Sequence, residues 1–302
     1  MAITKNEVAI LNTDDEQFRR LTHMQRAVRR LSKDHMTLVA LGIVGFLVLM
    51  AITAPITTEL LNIDPFSENL QKTYAPPDAE NLLGTDDKGR DHLARLIYGA
   101  QISLAVAFSA GFLSLSIGLA LGIFTGYYGG VIDDVMIWFI TTLNSIPSLF
   151  LLLLVSALFS PGPITFILLL ALLGWTGTMR LVRGETLALR EREYIIAARA
   201  MGASDVRIMA QHIMPNLLSI VIVSLAIRIG GLILTESALS FLGFGINPPF
   251  ATWGNMLSES QTFWRRSQIL VVGPGLLITT TVLCLYIIGD GMRDALDPTT
   301  TD

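Results

Sequence analysis

Six stretches of this chain are too long and too apolar to leave in water. Residues 36–54 run for 19 positions without a charge. As a helix they cover roughly 28 Å, the thickness of a bilayer's hydrocarbon core. Residues 102–125, 135–159 and 269–288 are likewise uncharged. Residues 163–182 close on Arg180 and Arg183, and residues 217–234 carry one charge, Arg228. Only 15% of the 302 residues are charged and 52% are hydrophobic, where a soluble domain carries about 25% charged residues. The chain therefore reads as an all-α, polytopic transmembrane helix bundle of six spans, and a soluble fold is excluded. Pro55 is expected to stop the first span and Pro147 to kink the third. The second is rich in Gly, Ala and Ser, which let membrane helices approach closely.

The first 35 residues are polar, so no cleavable signal peptide is expected and residues 36–54 read as a retained anchor. Three domain segments follow: a cytoplasmic segment 1–35, a six-span bundle 36–298 and a tail 299–302. Lys and Arg set orientation. Fourteen lie in residues 1–35, in residues 180–215 and at Arg293; six lie in the intervening loops. Both termini and residues 180–216 are thus expected on the cytoplasmic side. Residues 18–33 place Phe18, Leu21, Met24, Val28 and Leu31 on one helical stripe among five arginines. That is the pattern of a basic amphipathic helix on the lipid surface. The basic residues serve topology and give no case for nucleic acid. The acidic loop 56–100 and the segment 236–268 are expected outside, either as surfaces for an external partner or as loops that only connect and cap the bundle.

Catalysis finds no support. Cys284 stands alone, so neither an intrachain disulfide nor a cysteine metal site is available. His23, His35, His92 and His212 are scattered without metal-ligand spacing. Asp86, Asp87 and Asp91 with Glu80 read as a solvated turn rather than a cation site. A phosphate-binding loop needs Gly-x4-Gly-Lys-Ser/Thr. Of Lys5, Lys33, Lys72 and Lys88, only Lys72 precedes a Thr, and no Gly precedes it.

One segment breaks the apolar pattern: EYIIAARAMGASDVRIMAQHIMPN, residues 193–216. It reads as helix, turn and helix. Gly202 suits the left-handed residue after a helix. Ser204 suits the N-cap of the next, and Asp205 its positive end. Arg207 stands where a capping box would place Glu. Pro215 is expected to end or bend this second helix. Ile195, Met201, Val206, Ile208 and Met209 must pack on the bundle or be covered by another protein, and the residues alone leave both open.

The stretch AARAMGASDVRIMAQHIMP resembles the EAA loop of ABC-importer permeases, whose pattern is EAA, three residues, Gly, nine residues, I-x-L-P. Ala197, Ala198, Gly202 and Pro215 match; Ile196, His212 and Met214 depart from the pattern's Glu, Ile and Leu. LLGTDDKGRDHLARLIYGAQISL, GYYGGVIDD, ALSFLGFGINPPFATWGNMLSES and GDGMRDALDP resemble the dipeptide, oligopeptide and nickel branch of that family, in its "C"-type subunit. The likeness covers residues 36–298, with Gln101 where the branch often has Arg. The resemblance implies a translocation subunit in the inner membrane of a bacterium or archaeon, not an enzyme. It implies a second homologous permease, two ATP-binding subunits that supply ATP and Mg in trans, an external solute-binding protein, and a peptide or related small solute. No cofactor is implied in this chain. By resemblance Ala197, Ala198, Arg199, Gly202 and Ala203, with Ser204, Asp205 and Arg207, form the contact with an ATPase.

Candidates for the solute pathway are Arg228, Glu236, Asn144 and Pro147. A charge inside the bilayer costs at least ~2.5 kcal/mol, so Arg228 should face the bundle interior. Arg228 and Glu236 stand eight residues apart, roughly 12 Å of rise and about 80° of rotation, a poor geometry for a pair. The rival class is an ion-coupled secondary transporter built on those two charges, which would have no use for the EAA-like loop.

Overall fold

A computed structural model describes residues 28–159, 162–261, 264–265 and 267–296. Most of the amphipathic helix expected over 18–33, and the tail 299–302, fall outside these. The described residues form helices and connecting turns with one isolated bridge between Thr85 and Asp91. In chain order the helices are α1 His35–Ile52, α2 Ala54–Leu60, α3 His92–Tyr128, α4 Gly130–Leu143, α5 Ser148–Phe159, α6 Pro163–Arg190, α7 Glu193–Ala200, α8 Asp205–Ile208, α9 Met214–Phe241, α10 Trp253–Ser260 and α11 Ile269–Leu296.

Five helical runs are long and apolar enough to cross a membrane: α1, α3, α6, the continuous Asp205–Phe241 run and α11. The sixth expected span, 135–159, is not one kinked helix. It is α4 and α5, bent by 73° at the break between them. Pro147 lacks an N–H and disfavours a helical residue before it, so α4 stops at Asn144 and the chain restarts at Ser148. The span count is therefore five, or six with the bent pair taken as one.

Three boundaries also move. Asp91 accepts a hydrogen bond from Ala94 N–H at 2.7 Å and caps α3, which therefore starts ten residues before the apolar run begins. The outer segment expected over 56–100 shrinks accordingly. α6 continues past Val182 to Arg190, because Asp133 of α4 takes the guanidinium of Arg183 in an ion pair. Pro215 does not end a helix. A π turn, Met209–Ile213, stands just before it and carries the helix on into α9. The wider turn accommodates a residue that would otherwise clash with a preceding carbonyl.

The bundle is centred on α3 and α6. Gly118, Gly122 and Gly126 recur every fourth residue on α3 and face α6. A Cβ at Gly118 would stand 2.7 Å from Thr178 Cβ, one at Gly122 2.8 Å from the Met179 carbonyl, and one at Gly126 2.7 Å from Thr186 Cβ. The backbones are thus in contact along three turns, as small residues allow in membranes. The opposite side of the core joins α1, α3, α9 and α11 through Ala40, Leu47, Leu104, Ile233, Ile278 and Leu285. Thr37 lies against Gly291, so the start of α1 and the end of α11 share one end of the bundle.

Candidate functional site

The loop 191–213 sits at the Tyr128 end of α3. α7 ends with both hydrogen bonds of a Schellman turn: Gly202 N–H donates to the Arg199 carbonyl at 3.0 Å and Ala203 N–H to the Ala198 carbonyl at 3.1 Å. Gly202 has φ +86°, the left-handed geometry expected of it. Ser204 occupies the N-cap of α8 in an extended conformation, but its hydroxyl makes no capping bond. Asp205 instead turns to α3, where its carboxylate accepts the Tyr127 hydroxyl at 2.7 Å. The Arg199 guanidinium lies 5.4 Å from the centre of the Tyr127 ring. Arg207 donates to Gln211 at 3.0 Å on its own helix.

The loop is two-sided: part of its apolar surface packs on the bundle and part stays exposed. Ile195 and Ile208 are fully buried with Tyr127, Val182 and Leu217, and Ala198 is buried beside them. Met201 is 83% exposed and Val206 70%, one on each side of Gly202, with Ile196 exposed nearby. Ala197, Arg199, Gly202, Ser204, Asp205 and Arg207 are exposed and Ala203 is half-buried. The buried half fixes the loop to the bundle. The exposed half offers apolar side chains around a tight turn.

The residues that seat this loop come from α3, α4 and α6, and sequence reasoning missed them. Tyr127 holds Asp205, Asp133 holds Arg183, and the Gly126 carbonyl accepts from Arg190 at 3.0 Å. All three seats lie within GYYGGVIDD, a segment noticed only as part of the resemblance. Its signal was a tyrosine and a carboxylate at the foot of a long apolar run.

The pathway candidates separate. Arg228 points into the bundle, where its Nε donates to Ser114 Oγ of α3 at 2.8 Å. It borders a cavity of about 400 Å³ between α5, α6, α9 and α11. Glu236 is buried, 1% exposed, and accepts from Ser240 at 2.8 Å on its own helix, against Gly254 of α10. Arg228 and Glu236 do not pair. Asn144 and Pro147 are exposed in the break between α4 and α5; Asn144 accepts from Thr176 of α6 at 3.3 Å. Ser148, next to Pro147, lines the Arg228 cavity.

At the other end of α3 the acidic turn is not solvated. Asp86 and Asp91 are 7% and 6% exposed. Asp86 takes two backbone N–H groups at 2.9 Å and the side chains of Arg90 and Arg95. Glu259 of α10 accepts from the same two arginines at 3.4 and 3.1 Å. Asp86, Asp87 and Glu259 are close enough to hold a cation, but two guanidinium groups already supply the counter-charge. Glu80 lies apart, paired with Lys72. Trp253 fastens α10 to α3: its backbone N–H donates to Ser103 at 3.0 Å and its indole to the Leu96 carbonyl at 3.1 Å. Thr252 and Asn255 close a capping box at its start. These long-range bonds had no local sequence signal.

Residues 118–302 match the family described as binding-protein-dependent transport system inner membrane component. Residues 22–77 match the N-terminal transmembrane domain of oligopeptide transport permease C. The dipeptide transport system permease protein DppC of Bacillus subtilis is 37% identical over 287 residues, 92% of this chain and 86% of that protein. The oligopeptide transport system permease protein OppC of Haemophilus influenzae is 35% identical over 274 residues, 91% and 88% of the two chains. A putative peptide transport system permease protein of Brucella abortus is 36% identical over 270 residues, 89% and 90%.

Proposed function

Since this chain belongs to the family of inner membrane components of binding-protein-dependent transport systems, as a permease subunit of an ABC importer, we propose that it forms half of the path for di- or oligopeptides and couples to its motor through residues 193–208. The observation that carries the coupling is the two-sided loop: Ile195 and Ile208 locked in the bundle, Met201 and Val206 left bare around Gly202. An apolar surface on a tight turn is covered when it seats in a groove of another protein. That protein is an ATP-binding subunit, and a pair of them supplies ATP and Mg, since the chain carries no phosphate-binding loop.

The other partners follow from the same reading: a second homologous permease beside the bundle, and an external solute-binding protein at the Asp86–Glu259 end. Residues 191–213 then face the cytoplasm with both termini, in agreement with the Lys and Arg bias and with Thr37 lying against Gly291. The peptide substrate rests on the relatives, which are dipeptide and oligopeptide transport permeases.

Purification from the native membrane in mild detergent tests the reading. A second permease and two ATPases are expected to accompany the chain, with vanadate-sensitive ATP hydrolysis. Recovery of the chain alone, without ATPase, would remove it and send Arg228 and Glu236 to an ion-gradient assay.

A further inference from the structure

Arg228 is a cation in the middle of an apolar helix, and among the described residues no carboxylate neutralises it. Among the described residues its one hydrogen bond uses Nε, donated to Ser114, whose hydroxyl is itself anchored to the Gly111 carbonyl at 3.0 Å. The guanidinium is therefore held in one orientation by a buried partner on another helix. Its two terminal nitrogens have no acceptor among the described residues, and the side chain borders the 400 Å³ cavity.

Space for this head group is built in. A Cβ at Gly174 would stand 2.6 Å from Nη2, so any side chain there would displace the guanidinium. The rest of the wall is leucine-rich, from Leu149 to Leu232, with hydroxyls from Ser148, Thr235 and Tyr286. A guanidinium fork held through Nε, beside a largely apolar, ligand-sized cavity, is matched by a planar anion with two oxygens, bound in bidentate fashion.

We propose that Arg228, oriented by Ser114 and given room by Gly174, is a binding station for the carboxylate of the travelling solute, its apolar surroundings accepting side chains of varied shape. The proposal rests on the peptide-importer reading above. Every linear peptide with a free C-terminus carries this carboxylate, so the station selects for peptide ends and is indifferent to sequence.

The test uses the full complex in proteoliposomes with its solute-binding protein. The probes are tripeptides of Ala, Leu and Phe, offered as free acids and as C-terminal amides, with luminal uptake read by mass spectrometry. The acid-to-amide uptake ratio of the wild type is expected to fall roughly tenfold in Arg228→Gln, the factor of one charge-assisted hydrogen bond. Arg228→Lys should retain part of the preference, and Gly174→Ser, which keeps the arginine in the chain but displaces its guanidinium, should lose it. Amides carrying one Asp distinguish the sources: recovery with them assigns the station to any carboxylate, and no recovery assigns it to the chain terminus. An unchanged ratio in assembled Arg228→Gln and Gly174→Ser complexes overturns the proposal alone. Absence of uptake of either probe by the wild type removes the peptide reading, and this proposal with it.

Discussion

The Tyr127 hydroxyl donates to the Asp205 carboxylate at 2.7 Å across 78 residues of sequence. This bond joins the foot of α3 to the first residue of α8, directly below the exposed turn at Gly202. Tyr127→Phe keeps the buried ring and deletes the bond, at a cost of about 1 kcal/mol. The loop should still fold but be held less firmly. Solute uptake per ATP hydrolysed is expected to drop up to about fivefold, with membrane insertion intact. Parallel uptake and phosphate-release assays decide this; a stoichiometry equal to wild type would reduce the bond to a stability contact.

At Gly202 the demand is on backbone, not on space. With φ +86° and nothing within 4 Å of a built Cβ, a side chain meets strain of about 1–2 kcal/mol and no clash. Gly202→Asn, which tolerates the left-handed region, should transport nearly as wild type. Gly202→Val should insert normally and uncouple hydrolysis from uptake, and a bulky charged residue, Gly202→Glu, should do the same through the exposed apolar face. Normal coupling in both Val and Glu variants would remove this turn from the motor contact.

Glu259 confers a pH dependence on the opposite end. Burial, with Asp87 and Asp86 nearby, pushes its carboxyl from 4.5 up to about 7, against the pull of Arg90. Between those values the unfolded chain has released a proton that the folded chain keeps. The stability contributed by this group therefore falls as pH rises from 4.5 to 7 and is level above that. Glu259→Gln cannot titrate. The melting temperature of wild type relative to this variant should decline across that window and then stay constant; a difference independent of pH would contradict the burial of Glu259.

The glycine ridge of α3 tolerates least. Gly122→Leu would drive carbons into the Met179 carbonyl and the Val182 side chain, both 2.8 Å from a built Cβ. Overpacking of this kind costs about 1–3 kcal/mol even where neighbours yield, and here one neighbour is backbone. The variant is expected to reach the membrane but be degraded or fail to assemble, as read by protease sensitivity and co-purification.

The sequence pattern made the apolar spans legible, because hydrophobic length is a local property. It also exposed the turn at Gly202, where a single residue type answers a single backbone requirement. The depth of the break at Pro147 was not legible: a proline forbids a straight helix without stating whether the chain bends slightly or by 73°. The π turn before Pro215 was hidden for the same reason. Misreading Asp86 and Asp91 as solvated had another cause. Asp86 finds its counter-charges in Arg90 and Arg95 folded back over the turn, Asp91 is buried as the cap of α3, and the covering helix that carries Glu259 comes from far along the chain. Burial of a charge depends on such distant partners, and a turn-rich composition says nothing of them.

The π turn at Met209–Ile213 has a mechanical meaning. By carrying the helix past Pro215, it leaves Asp205–Phe241 as one continuous shaft of 37 residues, roughly 55 Å long. Asp205 lies at its foot, Arg228 about two thirds of the way along and Glu236 near its head, beside α10. A stiff rod does not fade a push along its length. Pivoting the foot by about 5° would swing the head by roughly 5 Å, enough to slide Glu236 past the α10 backbone. Power stroke and gate would then be two ends of a single moving part, with the solute's counter-ion riding between them.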